Sequence, residues 1–187
     1  MKIYPVRDLV PSCLYLLVSI NNSSISRLHG DNLLPWIEDS DIKIVHLVRD
    51  PRAMISSMLA QKEEWGNRLT SFKNICDQVQ QDMELGSKLP SDRYLMVRYE
   101  DIVEDPYNMF EKICAFTGIE FNDNVKKEIK KKVGGDISNP ETTKYYSTTR
   151  SPQFRHDSWK QKLDEKTLAE IECDCSQLMD VLGYKKK

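Results

Sequence analysis

The stretch that decides the fold is IKIVHLV at residues 42–48, followed directly by RDPR at residues 49–52. The first seven residues are mostly apolar and β-branched, which predicts a buried strand. Asp50 suits the N-cap of a following helix, and Pro51 suits its first position, where the missing N–H costs nothing. The junction therefore predicts a strand that delivers Arg49 to its C-terminal end, beside the start of a helix.

An arginine in this position is suited to bind an anion. Ligands of open α/β sheets bind just beyond the carboxyl ends of the strands, and helix N-termini favour negative charge. Ser57 lies eight positions after Arg49. In a helix this places it about 10 Å along the axis from the cap, and a long arginine side chain can cover much of that distance. The two side chains can hold one phosphate from two sides. The alternative is a surface arginine at a sheet end and a serine tolerated in a helix.

The composition predicts one globular α/β domain. The 187 residues suffice for a domain with a core, and 40% hydrophobic with 30% charged residues is not typical of disorder. The formal net charge of −2 argues against a nucleic-acid binder, so any anion site must be a local patch.

The apolar run at residues 13–20 is far shorter than the roughly 20 residues of a membrane span. We expect a buried strand or helix there, although a signal peptide is conceivable.

The cysteines match no zinc-binding spacing, and we expect no metal site. An odd number of cysteines leaves at least one thiol free, or paired between chains, if the compartment is oxidising. The sequence leaves the pairing open. The five cysteines are Cys13, Cys76, Cys114, Cys173 and Cys175.

A second strand and an intervening helix are predicted after the junction. Residues 94–99, YLMVRY, are typical of a strand covered on both faces. Apolar residues at helical spacing over residues 69–83 predict a helix between the strands. The order strand, helix, strand is a βαβ crossover, so the strands should be parallel and the connection right-handed. We expect Arg98, Glu100 and Asp101 to end the second strand with paired charges.

Capping residues indicate the ends of the later helices. Asp105 and Pro106 repeat the cap-then-proline start, and Gly118 should stop that helix. The last helix is predicted as one element that ends at Gly183. The irregular stretch before it, residues 136–162, is a long loop of the kind that is usually functional.

From about residue 40 to its end, the sequence resembles the Golgi carbohydrate sulfotransferases, in the branch that sulfates galactose, N-acetylglucosamine or N-acetylgalactosamine. The matching segments are LVRDPRA at 47–53 with Ser57, VRYEDI at 97–102, TRS at 149–151 with the later Trp159, and CSQLMDVLGY at 175–184. The resemblance implies an α/β fold with a P-loop-NTPase-like parallel sheet flanked by helices. It implies a single domain over residues 1–187, weakly matched over 1–40 and clearly over 41–187.

The resemblance also implies an activity and a co-substrate. It implies transfer of a sulfuryl group from 3′-phosphoadenosine 5′-phosphosulfate to a sugar hydroxyl of a glycan or glycoprotein in the Golgi lumen. In the family, a strand-end arginine and a serine eight residues later hold the 3′-phosphate, which implies that role for Arg49 and Ser57. Arg150, in the loop that closes over the nucleotide, is implied as a second cation, with a solvated loop arginine as the alternative. Arg52 is expected in the same cofactor site.

One part of the family pattern is missing before Arg49. The family grips the 5′-phosphosulfate with an upstream loop rich in Arg, Ser and Gly, and neither that loop nor a G-x-x-x-x-G-K-[ST] motif occurs. We therefore expect the C-terminal two-thirds of a domain that is incomplete at its N-terminus, with an open sheet edge that favours self-association. The alternative function is a non-catalytic relative or fragment that keeps 3′-phosphate binding or a partner-interaction role. A nucleotide kinase is disfavoured, because the P-loop is absent.

The catalytic base is not identified by the sequence. Of the three histidines, His46 lies within the first predicted strand and is expected to be a core residue. His156, in the late loop, is better placed to take part than His29. The run KKEIKKK at residues 126–132 either forms the solvated face of a helix, which we favour, or attracts an anionic glycan.

Overall fold

The computed structural model describes residues 14–19, 23–26, 42–60, 71–133 and 157–186, and for the first two segments it describes the backbone. Within these ranges the chain forms one sheet with helices packed against it. The strands are β1 (Leu14–Ser19), β2 (Ser23–Ser26), β3 (Ile42–Val48) and β4 (Tyr94–Arg98). None of the helices in the described segments has the length and apolar character needed to cross a membrane.

The sheet is mixed, with the strand order β2-β1-β3-β4. β3 and β4 are parallel, with Ile44 opposite Tyr94 and Val48 opposite Arg98, which confirms the parallel pair predicted around the junction. β1 is antiparallel to both β2 and β3, so the sheet is mixed, and β3 with β4 forms the expected parallel part, flanked by helices. The connection between β1 and β2 is short, so it suits an antiparallel pair and leaves no room for a crossover helix.

The helices follow the predicted order with two local differences. They are α1 (Pro51–Leu59), α2 (Phe72–Gly86), α3 (Tyr99–Glu104), α4 (Pro106–Thr117), α5 (Asp123–Val133), a 3-10 turn (Ser158–Gln161), α6 (Glu165–Asp174) and α7 (Ser176–Leu182). Leu69, predicted in the helix between the strands, lies outside the described residues. Tyr99 begins α3 instead of ending β4. The predicted single last helix is two helices, because Cys175 leaves helical geometry at φ −102° and ψ 13°.

The capping residues act as predicted. The Asp50 carboxylate accepts a hydrogen bond from the amide of Arg52, and Pro51 opens α1. The Asp105 carboxylate does the same for α4, which stops at Gly118 with φ 74°. Gly183 ends α7 with φ 76°, a left-handed conformation that favours glycine.

The hydrophobic core lies between α1, α2 and the two C-terminal helices. Ile55 of α1, Ile171 of α6 and Met179 of α7 are fully buried in it. A disulfide between Cys76 of α2 and Cys175, with a Cα–Cα distance of 5.4 Å, crosses the same core. The sequence leaves this pairing open, and the bond joins the C-terminal helices covalently to α2.

The remaining cysteines that the structure describes are free thiols. Cys114 is buried, and its burial raises the pKa of the thiol, whereas Cys173 is exposed. Cys13 lies outside the described residues.

Candidate anion site at the end of strand β3

Arg49 and Ser57 lie on one strand–helix unit, as predicted. Arg49 follows β3 directly and is half-buried, so part of its side chain reaches solvent. In α1, every residue is buried except Ser57 and Leu59, which are half-buried. Ser57 is therefore the accessible polar side chain of this helix.

The Arg49 guanidinium is held by an aromatic ring. Its central carbon lies 4.6 Å from the centroid of the Tyr99 ring, within the range of a cation–π contact. The register explains the contact, because Val48 and Arg98 are partners at the ends of β3 and β4. Arg49 and Tyr99 directly follow these two residues in the chain, so they meet just beyond the ends of the strands.

Glu100 fixes the backbone beside Arg49. Its Oε1 accepts a hydrogen bond of 3.2 Å from the backbone amide of Asp50, and its Oε2 accepts one of 2.6 Å from the Tyr184 hydroxyl. Glu100 is only 5% exposed. Burial, followed by the bond to Glu100, raises the pKa of Tyr184, so the phenol stays a donor at physiological pH.

Arg98 completes the paired charges expected at the end of the second strand. Its guanidinium lies 4.5 Å from the centroid of the Tyr184 ring, and its Nε is 4.0 Å from the Asp101 carboxylate. Burial opposes the charged form, but the contacts with Tyr184, Asp101 and Glu100 raise the pKa of Arg98 overall. The end of β4 is therefore a charge-paired structural unit.

The guanidinium of Arg52, a residue expected in the cofactor site, makes several contacts inside the protein. It forms an ion pair of 2.9 Å with Asp50 and one of 2.7 Å with Glu172, and donates to the Lys185 carbonyl at 3.0 Å. The buried Trp159 ring lies 4.3 Å from its central carbon. Burial acts to lower the pKa of Arg52, and the two carboxylates outweigh it. These contacts favour a structural role over phosphate binding.

The N-terminus of α1 contributes less positive potential than the sequence suggests. The Asp50 carboxylate lies over it, accepts from the Arg52 amide and neutralises the Arg52 guanidinium. Of the two arginines at this junction, Arg49 is the half-buried one and Arg52 is the buried one.

Of the histidines, the structure describes His46 alone, and the late-loop residues predicted for the site are not among those it describes. His46 is fully buried, with Nδ1 2.7 Å from the Tyr94 hydroxyl oxygen, and burial lowers its pKa to about 3. It is a neutral core residue, as expected. Arg150, His29 and His156 lie outside the described residues. Within the ranges given above, no cluster of three or more His, Cys, Asp or Glu side chains is arranged to hold a metal ion.

Sequence reasoning misses the two tyrosines of this site. The strand pattern extends through Tyr99, which the structure places in α3, and nothing local indicates a role for Tyr184. Tyr99 lies one residue past the paired ends of β3 and β4, and that position could have indicated its contact with Arg49. The contact of Tyr184 with Glu100 spans 84 positions of sequence and has no local signal.

The sequence model of the Sulfotransferase family matches residues 40–123, which contain β3, α1 and β4. The chain is 26% identical over 174 residues to carbohydrate sulfotransferase 3 of Mus musculus, covering 82% of this chain and 36% of that protein. It is 27% identical over 176 residues to carbohydrate sulfotransferase 1 of Danio rerio, covering 83% and 41%. The chain thus spans well under half the length of either protein.

Among solved structures, the fold is similar to the sulfotransferase domain from the curacin biosynthetic pathway. The TM-score is 0.51 at 17% sequence identity, over 76% of this chain and 54% of that one. This likeness concerns the fold.

Proposed function

Because the chain belongs to the carbohydrate sulfotransferase family, we propose that it binds 3′-phosphoadenosine 5′-phosphosulfate and serves in sulfuryl transfer to a sugar hydroxyl of a glycan. In this reaction the acceptor oxygen forms a bond to sulfur while the bond between sulfur and the bridging oxygen of the 5′-phosphate breaks. The acceptor hydroxyl gives up its proton, so the products are a sulfated sugar, 3′,5′-bisphosphoadenosine and a proton.

The observation that carries the proposal is the half-buried Arg49 at the carboxyl end of β3, with its guanidinium stacked on Tyr99. A planar guanidinium suits a phosphate, since it donates two parallel hydrogen bonds to two oxygens. Its stack on Tyr99 restricts its rotamers before the ligand arrives, which lowers the entropy cost of binding. Ser57 adds a neutral hydroxyl from the second turn of α1. We assign both side chains to the 3′-phosphate, and Arg150 remains a proposed third contact.

We place the reaction in an oxidising compartment of the secretory route, as expected for a Golgi enzyme. The Cys76–Cys175 disulfide supports this proposal, because disulfides persist in oxidising lumina and are rare in the cytosol. The acceptor is proposed to be a glycan or glycoprotein, by analogy with the relatives whose names describe carbohydrate sulfotransferases.

Calorimetric titration with 3′,5′-bisphosphoadenosine and with adenosine 5′-monophosphate tests the nucleotide site. We expect Arg49→Ala to weaken binding of the bisphosphate by about tenfold or more, because a hydrogen-bonded ion contact is lost. Binding of the monophosphate, which lacks the 3′-phosphate, should change little. Lys88→Ala removes an exposed cation on the loop after α2 and is the matched control.

Two results would contradict the assignment. One is the absence of bisphosphate binding by the unaltered chain, and the other is an equal loss for both nucleotides in Arg49→Ala. Transfer of labelled sulfate to glycans that end in galactose or an N-acetylhexosamine tests the acceptor half of the proposal separately.

A further inference from the structure

The chain beyond α7 returns to the end of β3. Gly183 adopts a left-handed conformation that terminates the helix, and the Tyr184 amide then donates to the Met179 carbonyl at 2.8 Å. This turn fixes the start of the Tyr184 side chain. The Tyr184 residue is only 9% exposed, and its hydroxyl reaches Glu100.

Glu100 connects Tyr184 to the anion site through two separate oxygens. One oxygen accepts from Tyr184 at 2.6 Å, and the other accepts from the backbone amide of Asp50 at 3.2 Å. A buried carboxylate that loses one donor has an unsatisfied oxygen, which is costly, so the carboxylate turns toward water or another donor. The orientation that bonds Asp50 therefore depends on Tyr184.

The same contacts hold the ring beneath Arg49. Tyr99 lies between Arg98 and Glu100, and both of these neighbours contact Tyr184, one by a guanidinium stack and the other by a hydrogen bond. A shift of this strand end moves the Tyr99 ring, on which the Arg49 guanidinium rests at 4.6 Å. Two routes, one through the backbone at Asp50 and one through Tyr99, join Tyr184 to Arg49.

From this arrangement we infer that Tyr184 is a positioning residue for the 3′-phosphate site. Its hydroxyl orients Glu100, which sets the backbone at Asp50 and thereby the guanidinium of Arg49. The expected effect of Tyr184 on nucleotide binding rests on the proposed function. The geometric coupling between Tyr184 and Arg49 is independent of any ligand.

Tyr184→Phe tests the inference, because it removes the hydroxyl and keeps the ring beside Arg98. We expect the dissociation constant of 3′,5′-bisphosphoadenosine to rise about fivefold, the scale of one hydrogen bond. Binding of adenosine 5′-monophosphate should stay within error, so that the preference for the bisphosphate falls. Tyr107→Phe removes the hydroxyl of an exposed tyrosine on α4 and is the matched control. An unchanged preference in Tyr184→Phe overturns the inference while the proposed function stands.

A ligand-free measurement separates the two proposals. In nuclear magnetic resonance spectra of the unliganded chain, the Asp50 amide and the Arg49 side-chain signals should move in Tyr184→Phe and keep their positions in Tyr107→Phe. If the chain binds no nucleotide, the proposed function fails, but these signals still show whether Tyr184 and Arg49 are coupled. Signals that stay in place in Tyr184→Phe overturn it.

Glu100→Gln gives a second test that does not depend on the tyrosine variant. It keeps the shape of the side chain but replaces one acceptor oxygen with a donor, so the same loss of bisphosphate preference is expected. The double variant should lose no more than the stronger single variant, because both act through one connection. Additive losses would overturn the inference.

Discussion

The imidazole of His46 is buried completely inside β3 and has its pKa lowered from 6.5 to about 3 by burial. The neutral ring bonds with the Tyr94 hydroxyl, which joins β3 to β4 at the level of their side chains. In the unfolded chain the same ring takes up a proton near its ordinary pKa. The unfolded state therefore binds more protons than the folded state between about pH 3 and pH 6.5, and stability must fall as the pH falls through that window.

We predict that His46 makes the free energy of unfolding about 2 kcal/mol lower at pH 5 than at pH 7. Urea titrations at the two pH values measure the difference. His46→Asn has no group that titrates in this range, so its stability should depend less on pH by that amount. The same pH dependence in both proteins would show that the ring is protonated in the folded state.

At the scale of elements, the predictable features are those with a local physical cause. The cap residues Asp50 and Asp105, and the glycines that end α4 and α7, act through bonds within a few residues. The parallel pairing of β3 and β4 follows from the crossover between them. These features could be predicted from the sequence.

The features that could not be predicted depend on distant partners. The break at Cys175 interrupts a continuous apolar stripe, and its disulfide partner Cys76 is 99 positions away. The antiparallel placement of β1 depends on pairing with β3, which its own sequence does not reveal. Arg52 shares its sequence context with Arg49, so the sequence assigns both to one site. Only the positions of Glu172 and Lys185 separate their roles.

Arg52 ties α1 to α6 and to the segment after α7, and its replacement should act on stability. In Arg52→Met, the carboxylates of Asp50 and Glu172 lose their shared buried cation, which should cost about 3 kcal/mol of unfolding free energy. Arg49→Met loses a cation–π contact of about 1 kcal/mol with Tyr99, so we expect a smaller loss of stability than in Arg52→Met.

Denaturant unfolding of the two variants, together with bisphosphate titration, measures this contrast. Arg52→Met should unfold more readily. Arg49→Met should lose nucleotide affinity without that loss of stability. If Arg52→Met is as stable as the unaltered chain and binds the bisphosphate selectively more weakly, Arg52 is a cofactor-binding residue.

For the whole molecule, the Cys76–Cys175 disulfide closes a long covalent loop, with a sequence separation of 99. The loop contains β4 and the helices α3, α4, α5 and α6, and its closing residue lies between the two C-terminal helices. A disulfide restricts the unfolded chain, and a loop of this size corresponds to about 4–5 kcal/mol in the chain-entropy account. The covalent link also holds the part of the chain that carries Tyr184 against α2. Stability and the geometry of the anion site therefore depend on the same bond.

We predict that reduction lowers the free energy of unfolding by about 4 kcal/mol, and that Cys76→Ser has a similar effect. Urea titrations with and without reductant measure the change, and mass spectrometry of unreduced peptides identifies the linked pair. Cys173→Ser removes an exposed free thiol and is the control, with no change expected. Because the link restrains the chain that carries Tyr184, the reduced protein should also bind 3′,5′-bisphosphoadenosine more weakly. Equal stability of the oxidised and reduced chains would mean that packing of α2 against α6 and α7 holds the C-terminal segment without the bond.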